Sequence, residues 1–66
     1  MTTNLAKIRT ARGLSQRQLS ALSGIHQVVI ARIESGSKSF NRLHVATALA
    51  LADALEVDVH ELVDPE

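Results

Sequence analysis

The chain has 66 residues, contains no cysteine and carries a formal net charge of zero. That length supports one small domain, and the missing cysteines exclude disulfides and thiolate metal sites. Residues 1–4 lack the basic start and apolar run of a signal peptide, and no run of about 18 apolar residues offers a membrane span. We therefore expect a single cytoplasmic domain over residues 1–66, with no membrane, metal or cofactor among its partners.

The charges are divided between the two ends of the chain. Residues 1–42 contain all seven lysines and arginines and a single acid, Glu34, so this segment carries +6. Residues 43–66 contain six acids and no lysine or arginine, which gives −6. The division favours a cationic face for an anionic partner, with chance segregation in a short chain as the alternative.

A first helix is predicted at about residues 4–12 and a second at about 16–23, each from its apolar spacing. Gly13 and Gly24 follow these segments, where a left-handed residue commonly ends a helix. Ser15 to Gln18 has the form of a capping box, in which each of the two side chains bonds the other residue's backbone N–H. The residues expected to face inward are Leu5, Ile8, Ala11, Leu19 and Leu22.

A third helix is predicted at about residues 26–35, between a tight turn at Ile25 and a glycine at position 36. Two helices joined by so short a turn form a helix-turn-helix, and Gly24 permits the positive φ of the bend. With Val29, Ile30 and Ile33 inward, the projecting face carries Gln27, Val28, Ala31, Arg32 and Ser35. Glutamine can pair with adenine, arginine with guanine, and small apolar groups can touch a thymine methyl. The pattern therefore predicts a helix that reads a DNA major groove.

A fourth helix is predicted at about residues 41–55, after a polar connector from Gly36 to Ser39, and a fifth at about 58–63, before Pro65. The fifth supplies apolar residues at Val59, Leu62 and Val63. The fourth is apolar nearly all round, with Leu43, Val45, Ala48, Leu49, Ala52 and Leu55 and a second apolar stripe. Because only one side can pack on the first three helices, the stripe predicts a partner helix in a homodimer. The expected interface is Ala46, Ala50, Leu51, Ala54 and Val59, with an alanine-rich exposed helix as the alternative.

The remaining histidines and acids give little support to catalysis or metal binding. His44 and His60 are expected to be surface or partly buried helix residues rather than ligands. Asp58, His60 and Glu61 are close in sequence, but neighbours one and two apart on a helix do not share a face. We therefore expect no catalytic and no metal-binding residue.

Four segments of this sequence together closely resemble the phage repressor/Cro-like helix-turn-helix family, also called the xenobiotic-response-element (XRE) type. They are Leu14–Ser20, Gly24–Ile25, Ile30–Gly36 and Ala52–Leu62, and the resemblance covers about residues 5–63. It implies an all-α, compact five-helix lambda-repressor-like DNA-binding domain with the helix-turn-helix at the second and third helices. Members of this family commonly dimerise, so that two recognition helices meet half-sites about 34–36 Å apart.

The resemblance also implies roles for individual residues. Gln27, Val28 and Arg32 match base-reading positions, with Ala31 on the same face. Gln16 matches a glutamine that contacts a phosphate and braces the recognition helix. The other phosphate contacts are implied at Arg17 beside it and, in the loop and helix start that follow the third helix, at Ser37, Lys38, Ser39, Asn41 and Arg42.

The resemblance also bears on two further positions, Glu34 and His26. Glu34 matches an acid that pairs with a basic residue of the first helix, here Arg9, which makes the pair structural. His26 departs from the family, because a Ser or Thr usually caps the third helix and histidine is a poorer cap. We expect His26 at a phosphate or base instead, with a charge that depends on pH.

The sequence thus predicts a sequence-specific transcriptional regulator, a repressor that binds double-stranded DNA at a two-fold symmetric operator as a homodimer. The alternative is an antitoxin-like or controller-type protein whose acidic C-terminal half binds a protein partner while the basic half holds DNA. An enzyme is a distant third, since no nucleophile stands beside a suitable base.

Overall fold

The computed structural model describes residues 3–64. It contains four α-helices, α1 (Asn4–Ala11), α2 (Gln16–Ser23), α3 (Gln27–Ser35) and α4 (Val45–Leu55). Two single 3₁₀ turns, Phe40–Arg42 and Val59–Glu61, precede and follow α4, and no strand occurs in the described range. The all-α prediction is therefore confirmed. The expected stop at Pro65 and the charge of Glu66 lie outside the described residues.

The count of five helices is wrong. The predicted helix 41–55 starts only at Val45, because Leu43 and His44 have extended ψ angles of 155° and 143° that separate the 3₁₀ turn from α4. The predicted helix 58–63 is a single 3₁₀ turn, which Asp58 caps by accepting a hydrogen bond from the backbone N–H of His60. Short 3₁₀ turns with i→i+3 bonds are common as connectors, and apolar spacing alone does not separate them from a helix end.

The capping box at the start of α2 is confirmed. The Ser15 Oγ accepts from the Gln18 N–H at 3.0 Å, and the Gln18 Oε1 accepts from the Ser15 N–H at 2.8 Å. Gly24 ends α2 with a left-handed φ of 75°. The Ser20 hydroxyl then donates to the Ile25 carbonyl at 2.6 Å, which fixes the turn into α3. Local hydrogen bonds thus set the angle between α2 and α3.

The core lies where α2 packs against both α3 and α4. Phe40, to which the sequence reasoning gave no role, is 3% exposed and brings the 3₁₀ turn into this core. The other buried members of the cluster are Leu5, Leu19, Ile30, Ile33, Ala48, Leu51, Ala52, Leu55 and Leu62. The inward positions predicted for α3 are confirmed at Ile30 and Ile33, while Val29 is half-buried.

Three expectations about burial are wrong. Leu22 is 61% exposed, because α2 turns the face of Leu19 and Ser23 toward the protein. Ala11 ends α1 and is exposed, whereas Ala6 is buried. Leu51, expected at a dimer interface, has 0% exposure, because it lies on the same side of α4 as the buried Leu55.

The two ends of the described chain are joined by hydrogen bonds. The Asn4 N–H donates to the Asp64 Oδ1 at 2.9 Å, and the Asn4 side chain donates to the Val63 carbonyl at 2.9 Å. The Asn41 amide exchanges two bonds with the Asp64 backbone, at 2.9 and 3.0 Å.

Of the helices formed by residues 3–64, none combines the length and apolar character that crossing a bilayer requires.

Candidate nucleic-acid interface

The outer face of α3 presents the predicted base-reading residues together. Gln27, Val28 and Arg32 are exposed and Ala31 is half-buried, while the opposite face of the helix is buried. Val28 is 59% exposed to solvent. The face offers an amide, a guanidinium and small apolar groups without a carboxylate, which is the chemistry that base edges in a major groove can meet. Ser35, at its far end, instead donates its hydroxyl to the Arg32 carbonyl at 3.1 Å.

The residues predicted to form the structural ion pair are in direct contact. The Arg9 Nε and Nη2 lie 2.7 and 2.8 Å from the Glu34 Oε2 and Oε1, a bidentate arrangement. The Arg9 Nη1 also donates to the Leu14 carbonyl at 2.6 Å. The side chains are 14% and 9% exposed, so the pair is mostly shielded from water. It joins the end of α1 to α3.

Burial disfavours the charged form of Glu34, but hydrogen bonds from Arg9 and Gln16, with the charge of Arg9, leave its pKa below the ordinary value. The bond to Glu34 correspondingly raises the pKa of Arg9. The carboxylate is therefore ionised and neutralised within the protein. The acid in the basic half does not oppose an anionic partner.

Gln16, predicted at a phosphate, donates its amide to the Glu34 Oε1 at 3.0 Å. This bond ties the start of α2 to α3 at the side chain of Glu34. Arg17, the next residue, is exposed. The two residues expected beside the DNA backbone therefore differ, because one side chain is held by the protein and the other extends into solvent.

The connection between α3 and α4 carries the other expected phosphate contacts. Lys38 and Arg42 are exposed, as is Ser39. Ser37 lies 2.9 Å from the Ser35 hydroxyl and donates to the Arg32 carbonyl at 3.3 Å, so it also closes the end of α3. Asn41 turns the other way, toward Asp64. The structure thus groups Lys38 with Arg42 and separates Asn41 from them.

A cleft of about 270 Å³ lies between the starts of α3 and α4. His26, Lys38, Arg42 and His44 all line it, together with the apolar side chains of Ile25 and Val29. The sequence predicts His26 near a phosphate but predicts no such role for His44. The sequence indicates only that each histidine stands just before a helix. That the two helix starts lie close together depends on the tertiary structure.

Exposed apolar side chains gather beside α4, and the larger ones are not those predicted for the dimer interface. Ala46 is exposed, while Ala50, Ala54 and Val59 are half-buried. The larger exposed groups are Val45 at 74%, Leu49 at 44% and Val63 at 43%. These three line a groove of about 210 Å³ whose floor includes Phe40, Leu43, Ala48 and Val59.

Within residues 3–64, no group of three or more His, Cys, Asp or Glu side chains could hold a metal ion.

Comparison with known proteins covers most of the chain. The Helix-turn-helix family model matches residues 5–62. The chain is 37% identical over 62 residues, which are 94% of this chain and 77% of the relative, to the uncharacterised HTH-type transcriptional regulator y4dJ of Sinorhizobium fredii. The structure matches the crystal structure of the restriction-modification controller protein C.AhdI from Aeromonas hydrophila with a TM-score of 0.79. That match has 36% identity and covers 89% of this chain and 85% of the other.

Proposed function

Because this chain belongs to the XRE-type helix-turn-helix family of DNA-binding transcription regulators, we propose that it is a repressor that binds a two-fold symmetric operator as a homodimer. The observation that carries the proposal is the exposed, acid-free face of α3. Such a helix fits the width of the major groove, where each base pair has its own pattern of donors and acceptors. A cytoplasmic location is part of the same proposal, because the protein must reach DNA to act.

Base reading is assigned to Gln27, Val28, Ala31 and Arg32. Gln27 and Val28 form the first turn of α3 and Arg32 lies one turn further on the same side, which supports contact with neighbouring base pairs. The glutamine amide suits adenine, the guanidinium suits guanine and the valine methyls suit thymine. The operator half-site is therefore expected to combine A·T and G·C pairs.

Affinity is assigned to phosphate contacts on both sides of this face. Arg17 at the start of α2 and Lys38 with Arg42 after α3 supply charge, and the exposed Ser39 can donate its hydroxyl. Ser37 can do the same once its hydroxyl turns away from the Arg32 carbonyl. The Gln16 amide has two N–H groups and gives one to Glu34, so the second can meet a phosphate. Asn41 is left out of this set, because its amide bonds the Asp64 backbone.

The test is selection of bound sites from random duplex DNA with the purified protein, followed by binding measurements on the selected duplex. A two-fold symmetric site is the expected result. Arg32→Ala should relax preference at one position of each half-site by about 1–3 kcal/mol. The control Arg42→Ala should weaken binding to all duplexes alike. Equal weakening of all sequences by Arg32→Ala would make Arg32 a phosphate contact, and the absence of any selected site would contradict the proposal.

The homodimer is assigned to the groove beside α4 rather than to the alanine stripe alone. Val45, Leu49 and Val63 expose apolar surface around it, and burial of such surface drives association. Leu49→Glu should therefore shift the protein toward monomer in analytical ultracentrifugation. Leu22→Glu is the matched control, because Leu22 is equally apolar and 61% exposed but lies on α2. A dimer that resists Leu49→Glu would place the interface elsewhere.

A second candidate is a controller of restriction-modification genes, favoured by the likeness to C.AhdI over 89% of this chain. The two candidates share DNA binding and differ in the genes controlled. If the selected operator lies upstream of this protein's own gene and of an adjoining endonuclease gene, the controller role is supported. Reporter fusions to those promoters, with and without the protein, then distinguish repression from activation.

A further inference from the structure

Two of the three histidines in the chain occupy equivalent places beside one cleft. His26 immediately precedes the nine-residue α3, and His44 immediately precedes the eleven-residue α4. Neither imidazole makes the hydrogen bond to its own first helical turn that a capping side chain would make. Both residues are exposed, and both line the cleft between the two helix starts. Their rings are thus available to something that enters this cleft.

The other polar lining of the cleft is cationic. Lys38 and Arg42 reach it from the connection between α3 and α4, Thr47 adds a hydroxyl, and no carboxylate is among the described residues that line it. The volume of about 270 Å³ is many times the roughly 10–15 Å³ that one water molecule needs. The lining therefore fits an anion larger than water. Since His26 adjoins the base-reading Gln27, the anion nearest at hand is a phosphate of bound DNA.

We propose that this cleft takes one backbone phosphate of the DNA, and that His26 and His44 bind it more tightly in their protonated forms, so that operator affinity rises as pH falls. This inference rests on the proposed function. A neutral imidazole has one N–H to donate, whereas the protonated ring donates from both nitrogens and carries charge. Histidine side chains change between these forms near neutral pH. Lys38 and Arg42 are the other basic side chains that line the cleft.

Proton uptake accompanies binding because a bound phosphate favours the charged imidazole. The phosphate is anionic with either form of the ring, so protonation adds attraction between opposite charges to a bond that the neutral ring can already make. Each protonated histidine should therefore tighten binding by roughly tenfold. The third histidine, His60, lies on the second 3₁₀ turn beside Asp58 and does not line the cleft, so it should contribute nothing to the effect.

The experiment measures the dissociation constant of the full chain for the selected duplex, by fluorescence anisotropy at fixed salt, between about pH 8 and pH 5.5, the range in which histidine titrates. The wild type should tighten about a hundredfold per bound subunit over this range, if both rings contribute tenfold. His26→Gln and His44→Gln should each lose about half of that change on a logarithmic scale, and the double variant nearly all of it. His60→Gln is the matched control and should keep the full change.

Glutamine preserves a donor and an acceptor at each exposed site, and unfolding curves should show that the variants fold. If DNA binds but the double variant keeps the wild-type pH profile, the inference is overturned while the proposed function stands. If selection yields no DNA site, the proposed function fails and inorganic phosphate tests the cleft by NMR. Phosphate-dependent shifts of the His26 and His44 ring signals, but not of His60, would support an anion site, and unchanged signals would overturn it.

Discussion

Glu34 shows how one residue can serve the site without facing the ligand. Its carboxylate receives three hydrogen bonds, two from Arg9 and one from Gln16, at 2.7 to 3.0 Å. The side chain therefore connects α1, the start of α2 and α3 at a single point. Because both partners are held by the same carboxylate, Glu34 positions Gln16 while it neutralises a basic side chain.

Glu34→Ala should lower the free energy of unfolding by about 2–3 kcal/mol, because it leaves the largely buried Arg9 guanidinium without its charged partner. For a domain of this size that corresponds to a fall in Tm of roughly 10–20 °C. Asp53→Ala removes a carboxylate from the exposed surface of α4 and is the control, with a change within about 0.5 kcal/mol. Unchanged unfolding of Glu34→Ala, with DNA binding lost, would instead assign the residue to the DNA contact.

The Arg9–Glu34 pair also predicts how the free energy of unfolding depends on pH. The pKa of Glu34 is lowered in the folded protein, so its ionised form contributes stability above the ordinary value of 4.5. That contribution is lost as the pH falls through the lower folded-state pKa. In urea unfolding below pH 4.5, Glu34→Gln should therefore show a shallower loss of stability with acid than the wild type. Parallel pH profiles for the two proteins would contradict the assignment.

At the scale of elements, α4 ends at an unusual residue. Glu56 takes a left-handed φ of 58°, a conformation that glycine adopts at the ends of α2 and α3. Glu56→Gly should raise the free energy of unfolding by about 1 kcal/mol, because glycine enters this region without the steric cost of a side chain. Asp53→Gly, inside α4, should lower it by about 1 kcal/mol, since glycine weakens a helix interior. Thermal unfolding monitored by circular dichroism compares the two.

The orientation of α2 predicts that its two leucines contribute unequally to the free energy of unfolding. Leu19 has 0% exposure and Leu22 has 61%, although both are leucines of one short helix. Leu19→Ala should therefore cost about 2–5 kcal/mol through loss of buried contact and the cavity that remains. Leu22→Lys should change stability by less than about 0.5 kcal/mol. Guanidinium unfolding of the two variants measures both changes, and a large loss in Leu22→Lys would place α2 in another orientation.

For the whole molecule, the division of charge between the two halves of the chain predicts how the affinity for DNA depends on salt concentration. If roughly four to six phosphates are neutralised, the logarithm of the association constant should fall with log salt at a slope of about −4 to −5 per monomer. Arg42→Ala should reduce that slope by about 1. Arg12→Ala is the control with an unchanged slope, because the Arg12 guanidinium donates to the Glu56 carbonyl at 3.4 Å. Binding that barely responds to salt would contradict the phosphate contacts.

Features that depend on neighbouring residues can be predicted from the sequence alone. The capping box at Ser15 and the glycine ends of α2 and α3 follow from hydrogen bonds and backbone angles within a few positions, so they could be predicted without a fold. The helix-turn-helix and its outward Gln27, Val28 and Arg32 follow from the same local signals with the period of a helix. The pairing of Arg9 with Glu34 required the family resemblance, since 25 residues separate them.

Which helix faces are covered depends on how distant segments pack together. Leu22 and Leu51 satisfied the apolar pattern equally well, yet one is exposed and the other buried, because α2 and α4 pack on each other through one face of each. Phe40 stands alone among polar residues and becomes core only when its 3₁₀ turn folds onto distant helices. The cleft of His26 and His44 likewise exists because two helix starts meet. Burial and clefts are made by contacts between segments far apart in the chain, which local periodicity does not specify.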